Sequence, residues 1–146
     1  MGEKLYKIAG DEHKRASPEE LRAFENILVA RRHFREFTRE GSEKARQANE
    51  AALALNPNLA RAHSGMAWIH INGVRWGWGD LDREVALAKA REEARIGIRL
   101  APDDYDSHST MAFVHMLAGE REQAFIAFDK ALELNPNAGN VMANLA

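Results

Sequence analysis

The chain has 146 residues, of which 45% are hydrophobic and 29% charged, which suits one globular domain and excludes wholesale disorder. Its 20 Lys and Arg against 22 Asp and Glu give a formal charge of −2, and a nucleic-acid surface, which needs a basic excess, is not expected. The sequence has no cysteine, which excludes disulfides, zinc–thiolate sites and a cysteine nucleophile and fits a reducing, cytoplasmic setting.

Apolar periodicity predicts six helices, over about 18–37, 42–56, 59–72, 80–100, 104–117 and 121–135. Ser17 is a good capping residue for the first of them, and Pro18 suits its first turn. Residues 1–17 are predicted to be an N-terminal tail or a short helix. No window approaches the roughly 18 apolar residues of a membrane span, and the first residues lack the apolar run of a secretory signal. We therefore expect no membrane partner.

The segment between the third and fourth predicted helices, residues 73–80, contains three glycines and two of the three tryptophans. Glycines favour turns, so this segment is predicted to be a loop. Exposed tryptophans are costly, and we expect Trp76 and Trp78 to fold back on the neighbouring helices. The segment lacks the lysine and the spacing of a phosphate-binding loop.

An internal repeat organises the sequence. The stretch HSGMAWIH begins at His63, and the similar stretch HSTMAFVH begins 45 residues later, at His108. Pro57 and Pro102 are also 45 residues apart, whereas Pro102 and Pro136 are 34 apart. The middle unit is therefore a 34-residue repeat with 11 residues inserted between its two helices.

The 34-residue period and the positions of its small and bulky residues resemble the tetratricopeptide repeat (TPR), a helix–turn–helix unit. In the third unit the pattern is carried by His108, Met111, Ala112, His115, Ala124, Phe128, Ala131 and Pro136. In the middle unit it is carried by His63, Met66, Ala67, His70, Ala90, Ala94, Gly97 and Pro102. The resemblance implies an all-α, TPR-like α-solenoid, a right-handed superhelix of three helical hairpins plus part of a fourth first helix. This TPR domain would cover 18–146, with repeats at about 18–57, 58–102, 103–136 and a partial one at 137–146.

The last residues of the sequence align with the first helices of the earlier units. Residues 139–146 match 60–67 and 105–112, so the sequence stops halfway through the first helix of a fourth unit. Because solenoids normally end in a polar capping helix, we expect the chain to be a fragment of a longer protein. An open end would expose Val141, Met142 and Leu145, which makes self-association as a homodimer an alternative.

The first two units resemble a narrower group of proteins. The stretch FREFTREG from Phe34, the stretch EKAR from Glu43, the stretch AWIH from Ala67 and the stretch WGWGD from Trp76 carry this resemblance. They are similar to the TPR tails of bacterial adenylate/guanylate cyclases and of winged-helix regulators. The resemblance implies a scaffold or regulatory tail in a bacterial signalling protein, although no catalytic or DNA-binding segment of either family is present in the sequence.

The concave surface of such a solenoid is lined by first-helix residues, and a peptide partner is predicted to bind there. The candidate groove residues are Phe34, Arg35, Arg61, Ser64, Trp68, Ile71, Asn72, Ser109, Phe113 and Met116. Aromatic and methionine side chains are typical anchors for a docked peptide. Arg61, Arg31 and Arg35 favour a partner with some negative charge. Two alternatives stay open: the inserted loop or further repeats bury these residues, and the arginines form a solvated face paired with Glu36, Glu40 and Glu43.

Four histidines form two pairs at seven-residue spacing: His63 with His70, and His108 with His115. Imidazoles on one helix face can bind zinc or copper, so a metal-dependent enzyme or sensor is an alternative function. The other interpretation is that these histidines are packing residues hydrogen-bonded within each helix pair. The sequence has no catalytic motif, and neither an enzyme activity nor a cofactor is predicted.

Overall fold

The computed structural model describes residues 17–137. Within this range the chain forms six α-helices and no β-strand, which confirms the all-α prediction. The helices are α1 (Pro18–Phe34), α2 (Arg39–Leu55), α3 (Ala60–Trp76), α4 (Arg83–Leu100), α5 (Tyr105–Leu117) and α6 (Arg121–Leu134). None of these helices combines the length and the apolar character that crossing a bilayer requires.

Consecutive helices pack in pairs. The most extensive contacts join α1 to α2, α3 to α4 and α5 to α6, and smaller contacts join α2 to α3 and α4 to α5. Helix α3 also contacts both α1 and α5, so it lies at the centre of the described chain. This arrangement is consistent with a helical repeat.

Small side chains allow the helices to approach each other closely. Helix axes can come within about 8–10 Å where alanine lies at the contact. Fully buried alanines occur on every helix from α2 to α6, namely Ala45, Ala52, Ala62, Ala67, Ala90, Ala94, Ala112 and Ala131. Larger residues fill the space around them, with Phe113 packed between Trp68 and Phe128 at ring-centroid distances of 4.9 and 5.5 Å. The central core therefore joins α3, α4, α5 and α6.

The repeat is visible in the hydrogen bonds as well as in the sequence. The backbone N–H groups of Asn56, Ala101 and Asn135, which end α2, α4 and α6, each donate to the carbonyl four residues earlier at 2.9 Å. After the first two of these ends, a histidine contacts the proline carbonyl six residues before it. The distance is 2.7 Å for His63 Nε2 to Pro57 O and 2.7 Å for His108 Nε2 to Pro102 O.

Three helix boundaries differ from the prediction for identifiable reasons. Helix α1 ends at Phe34 rather than at 37, because Phe37 has a left-handed backbone (φ 52°) that a helix cannot include. Helix α2 then begins at Arg39, since the Thr38 side chain caps it by accepting the Gly41 N–H at 2.9 Å. Helix α3 continues through half of the predicted loop to Trp76, and Gly77 ends it with φ 71°.

Some predictions fall on residues that the structure does not describe. These are the N-terminal tail up to residue 16 and the partial fourth unit beyond Asn137, including Val141, Met142 and Leu145. The predictions of a fragment and of an open apolar end therefore stay predictions.

Candidate functional site

A groove of about 630 Å³ lies between α1, α3 and the first turn of α5. Helix α3 contributes one face along nearly its whole length, because its lining residues recur every three or four positions, at 61, 65, 68, 72 and 75. Helix α1 contributes residues 27, 30, 31 and 34 with the same periodicity, and Arg35 follows directly after it. Asn49 from α2, Phe37 from the α1–α2 loop, and Tyr105 and Asp106 from α5 complete the lining.

The middle of the groove is apolar. Trp68, at the centre of α3, is half-buried and faces the groove, and Phe34, Ile27 and Ala30 of α1 lie opposite it. The Trp68 ring also packs on Phe113 in the core, so its orientation is fixed from beneath. A preformed aromatic surface of this kind binds an apolar side chain without first having to be ordered.

Charged side chains surround this apolar centre. One carboxylate, Asp106, lies in the lining. The lining also contains four arginines, namely Arg31, Arg35, Arg61 and Arg75. Burial raises the pKa of the Asp106 carboxyl, and Asp104 raises it further, while Arg61 and Arg31 act in the opposite direction. Asp106 is therefore a half-buried carboxylate whose desolvation the neighbouring arginines compensate only in part, and the lining as a whole is basic.

The insertion forms an aromatic cluster next to the groove. Phe37 lies edge-on to Trp76 and Trp78, with ring centroids 5.7 and 5.3 Å apart, and the Arg75 guanidinium lies 5.2 Å from the Trp76 centroid. Trp78 is half-buried, whereas Trp76 keeps about half of its surface exposed. The two tryptophans thus pack on the α1–α2 loop. Since Phe37 and Arg75 also line the groove, the insertion shapes its edge.

The ten predicted groove residues divide into two equal sets. Five of them line the groove, namely Phe34, Arg35, Arg61, Trp68 and Asn72. The other five do not: Ile71, Phe113, Ser64 and Ser109 are buried, and Met116 is exposed elsewhere. The reason is that α5 packs directly against α3, so α5 contributes only its first turn to the groove. Phe113, with 4% of its surface exposed, supports Trp68 from the core.

Several residues of the lining were not among the ten candidates. The sequence carried a signal for some of them and none for others. Arg75 and Phe37 become part of the site only because α3 is one turn longer than predicted and α1 is shorter. Asn49 lies on a second helix, which a concave-face argument does not consider. Gly65 did carry information, because a glycine within a helix interior is unfavourable unless a neighbour needs the space.

Three of the four paired histidines have hydrogen-bond partners in neighbouring segments. His63 Nδ1 lies 2.6 Å from Glu93 Oε2, and His115 Nδ1 lies 2.9 Å from Glu120 Oε1. His108 contacts the Pro102 carbonyl as described above. Burial lowers the pKa of His70, and Lys89 and Arg46 lower it further. Within residues 17–137, no group of three His, Cys, Asp or Glu side chains is arranged to hold a metal ion. These contacts favour the packing interpretation over the metal site.

Comparison with known proteins adds no family to this description. No protein-family model matches the chain, and no curated protein is significantly similar to it.

Proposed function

We propose that this chain is a protein–protein interaction module that binds a peptide segment in the groove between α1 and α3. The observation that carries the proposal is the groove of about 630 Å³, in which an aromatic centre is surrounded by charged side chains. Binding sites typically combine an apolar pocket with a few polar groups that orient the ligand. Clustered aromatic and arginine side chains are also the residues that dominate binding energy at interfaces.

The dimensions of the groove fit a short linear segment. Arg61 and Arg75 mark its two ends on α3, and their 14-residue separation corresponds to about 21 Å along the helix axis. An extended peptide advances about 3.3 Å per residue, so about six residues span this length. Trp68 lies midway between the two arginines, where it would contact the central side chain of the peptide.

We further propose that the helix pairs belong to a TPR-like, right-handed solenoid of three helical hairpins. The recurring proline-carbonyl contacts of His63 and His108 and the stacking of α3 between α1 and α5 support this architecture. Such a solenoid would act as a scaffold or regulatory tail in a bacterial signalling protein in the cytoplasm. The sequence resemblances described above support this setting.

Selection from a displayed library of random peptides tests the binding function. The full chain should enrich a set of related peptides, and Trp68→Ala should weaken their binding by about 2 kcal/mol or more, as expected for a central aromatic anchor. Phe125→Ala is the matched control, since it removes an aromatic ring that is 63% exposed and lies outside the groove. Phe37→Ala removes an exposed side chain of the lining, so it tests the groove independently if the Trp68 variant fails to fold.

Three results of this experiment would contradict the proposal. One is that a folded chain enriches no peptide. Another is that the enriched peptides bind the Trp68 and Phe37 variants as tightly as the original chain. The third is that Phe125→Ala weakens binding as much as Trp68→Ala does.

A second candidate function, self-association, is favoured by one observation. Phe125 and Ile126 are adjacent on α6 and are 63% and 69% exposed, which is unusual for large apolar side chains. A second copy of the chain would cover them. Sedimentation of the chain should then show a dimer that Phe125→Ser with Ile126→Ser converts to a monomer; a monomer at all accessible concentrations would exclude this candidate.

A further inference from the structure

We infer that the partner of the groove is an acidic peptide segment with a central apolar side chain. This inference rests on the proposed function and specifies the chemistry of the partner. It follows from three properties of the groove. These are the excess of arginine in its lining, the absence within residues 17–137 of a carboxylate ion-paired with Arg31 or Arg35, and the position of charges on either side of Trp68.

The lining carries far more positive than negative charge. Four arginines face one carboxylate, although the whole chain has a formal charge of −2. The carboxylate, Asp106, is placed where it acts on Arg61 and Arg31. It leaves Arg35 and Arg75 without a compensating acidic residue in the lining. A local excess of this kind in a partly enclosed groove attracts anionic groups more strongly than the same charges on an open surface.

Two of the three acidic residues expected to neutralise the arginines of α1 have other partners. Glu36 accepts from His33 Nδ1 at 2.9 Å, and Glu43 pairs with Arg46. Arg39, the first residue of α2, contacts Asp80 at 3.5 Å, outside the groove. Within residues 17–137, neither Arg31 nor Arg35 forms an ion pair with a carboxylate. The interpretation of these two side chains as part of an internally paired surface therefore lacks support.

The order of the groups along α3 defines the pattern of the partner. Trp68 lies seven residues from Arg61 and seven from Arg75, or about 10 Å from each along the helix axis. Three residues of an extended peptide cover the same distance. The groove therefore matches a segment with an apolar residue at its centre and acidic residues about three positions before and after it. Carboxylates can pair with guanidinium groups through two parallel hydrogen bonds, which adds orientation to the charge attraction.

Peptide arrays test this pattern on the full chain. Three series of heptapeptides carry each apolar residue in turn at the centre, with glutamate, glutamine or lysine at the first and last positions. Fluorescence anisotropy should show the glutamate series binding at least tenfold more tightly than the glutamine series, with no measurable binding of the lysine series. The preference for glutamate should fall on raising the salt from 50 to 500 mM, because partly exposed charge pairs are screened.

Arginine variants locate the interaction. Arg31→Gln, Arg35→Gln and Arg75→Gln each remove one charge from the lining and should each reduce the preference for glutamate over glutamine severalfold. Arg32→Gln is the matched control: it removes the same charge from α1, but its side chain does not line the groove. The side chains of Arg31, Arg32 and Arg35 are exposed and that of Arg75 is half-exposed, so these variants are expected to keep the wild-type helicity.

The outcomes separate this inference from the proposed function. Equal binding of the three series, or tighter binding of lysine, would overturn the acidic partner while leaving a peptide-binding groove. A preference for glutamate that Arg32→Gln reduces as much as Arg35→Gln does would move the interaction out of the groove and overturn the inference. Tighter binding of a short single-stranded oligonucleotide than of any glutamate peptide would also overturn the inference. Failure of all three series to bind a folded chain would contradict the proposed function as well.

Discussion

Asn49 of α2 and Gly65 of α3 approach each other so closely that a Cβ atom on residue 65 would lie 2.6 Å from Asn49 Nδ2. Both residues line the groove, and Asn49 is buried. The glycine therefore leaves room for the Asn49 side chain of the neighbouring helix, and its own backbone, which is helical, does not require it. The width of the groove at this point depends on how near α2 and α3 can come to each other.

This contact predicts the effect of Gly65→Ala. Alanine in a helix interior normally stabilises by about 1 kcal/mol relative to glycine, whereas an added methyl group in a filled space destabilises by about 1–3 kcal/mol. We expect the second effect to dominate, with a net loss of stability in urea denaturation. Shortening the neighbour with Asn49→Ser in the same chain should recover most of the loss. A simple gain of about 1 kcal/mol for Gly65→Ala would show that the approach is looser than described.

Phe113 and Met116 lie on the same helix and should respond in opposite ways to truncation. Phe113→Ala removes a ring that contacts Trp68 and Phe128 in the core, and such substitutions destabilise by about 3–5 kcal/mol. Met116→Ala changes a residue that is 47% exposed, so its effect should stay within about 0.5 kcal/mol. Thermal or urea unfolding of the two variants measures both values, and similar losses would contradict the assignment of Phe113 to the core.

His70 predicts a loss of stability in mild acid. Burial, Lys89 and Arg46 lower its pKa in the folded chain below the ordinary value of 6.5. As the pH falls through that value, the unfolded chain takes up a proton that the folded chain resists, and the unfolded state is favoured. Unfolding midpoints measured between pH 7.5 and 5.5 should therefore decrease, and His70→Gln should reduce this dependence. His108→Gln is the control and should leave the contribution of His70 unchanged; an identical pH dependence in the chain and in His70→Gln would contradict the prediction.

The raised pKa of Asp106 predicts that removing its charge increases the stability of the folded chain. Burial raises the pKa of its carboxyl, which means that the ionised form is held in the folded chain at a cost. Asp106→Asn should raise the unfolding midpoint at pH 7 and lose this advantage near pH 3, where the carboxyl is protonated in both states. The same variant should bind the glutamate peptides several times more tightly, because it removes the acidic group of the lining. Weaker binding of those peptides would indicate that Asp106 itself contacts the partner.

The helices could be predicted from the sequence because their determinants are local. Prolines after α2, α4 and α6 and the Ser17 cap of α1 mark boundaries that the structure places within a few residues of the prediction. The boundary between α1 and α2 could not be predicted as well, since Phe37 adopts a left-handed conformation without being a glycine. Its contacts with two tryptophans from a distant segment accompany that conformation.

The groove could be predicted only where its residues follow from helix periodicity. On α3, the predicted residues Trp68, Asn72 and Arg61 line the groove because they share one face of a single helix. On α5, Ser109 and Phe113 are buried and do not line it, since the repeat pattern does not reveal how closely α5 packs on α3. That distance depends on side chains from several helices together, and a single sequence does not encode it in any short segment.

The aromatic cluster of the insertion also has a mechanical consequence. Phe37 belongs to the loop of the first helix pair, whereas Trp76 and Trp78 belong to the loop region of the second, so their ring contacts tie the two pairs together at one edge. Bending the chain open at this junction would separate the rings and expose their apolar surface to water. The junction between the first two pairs is therefore stiffened on the side where the insertion lies.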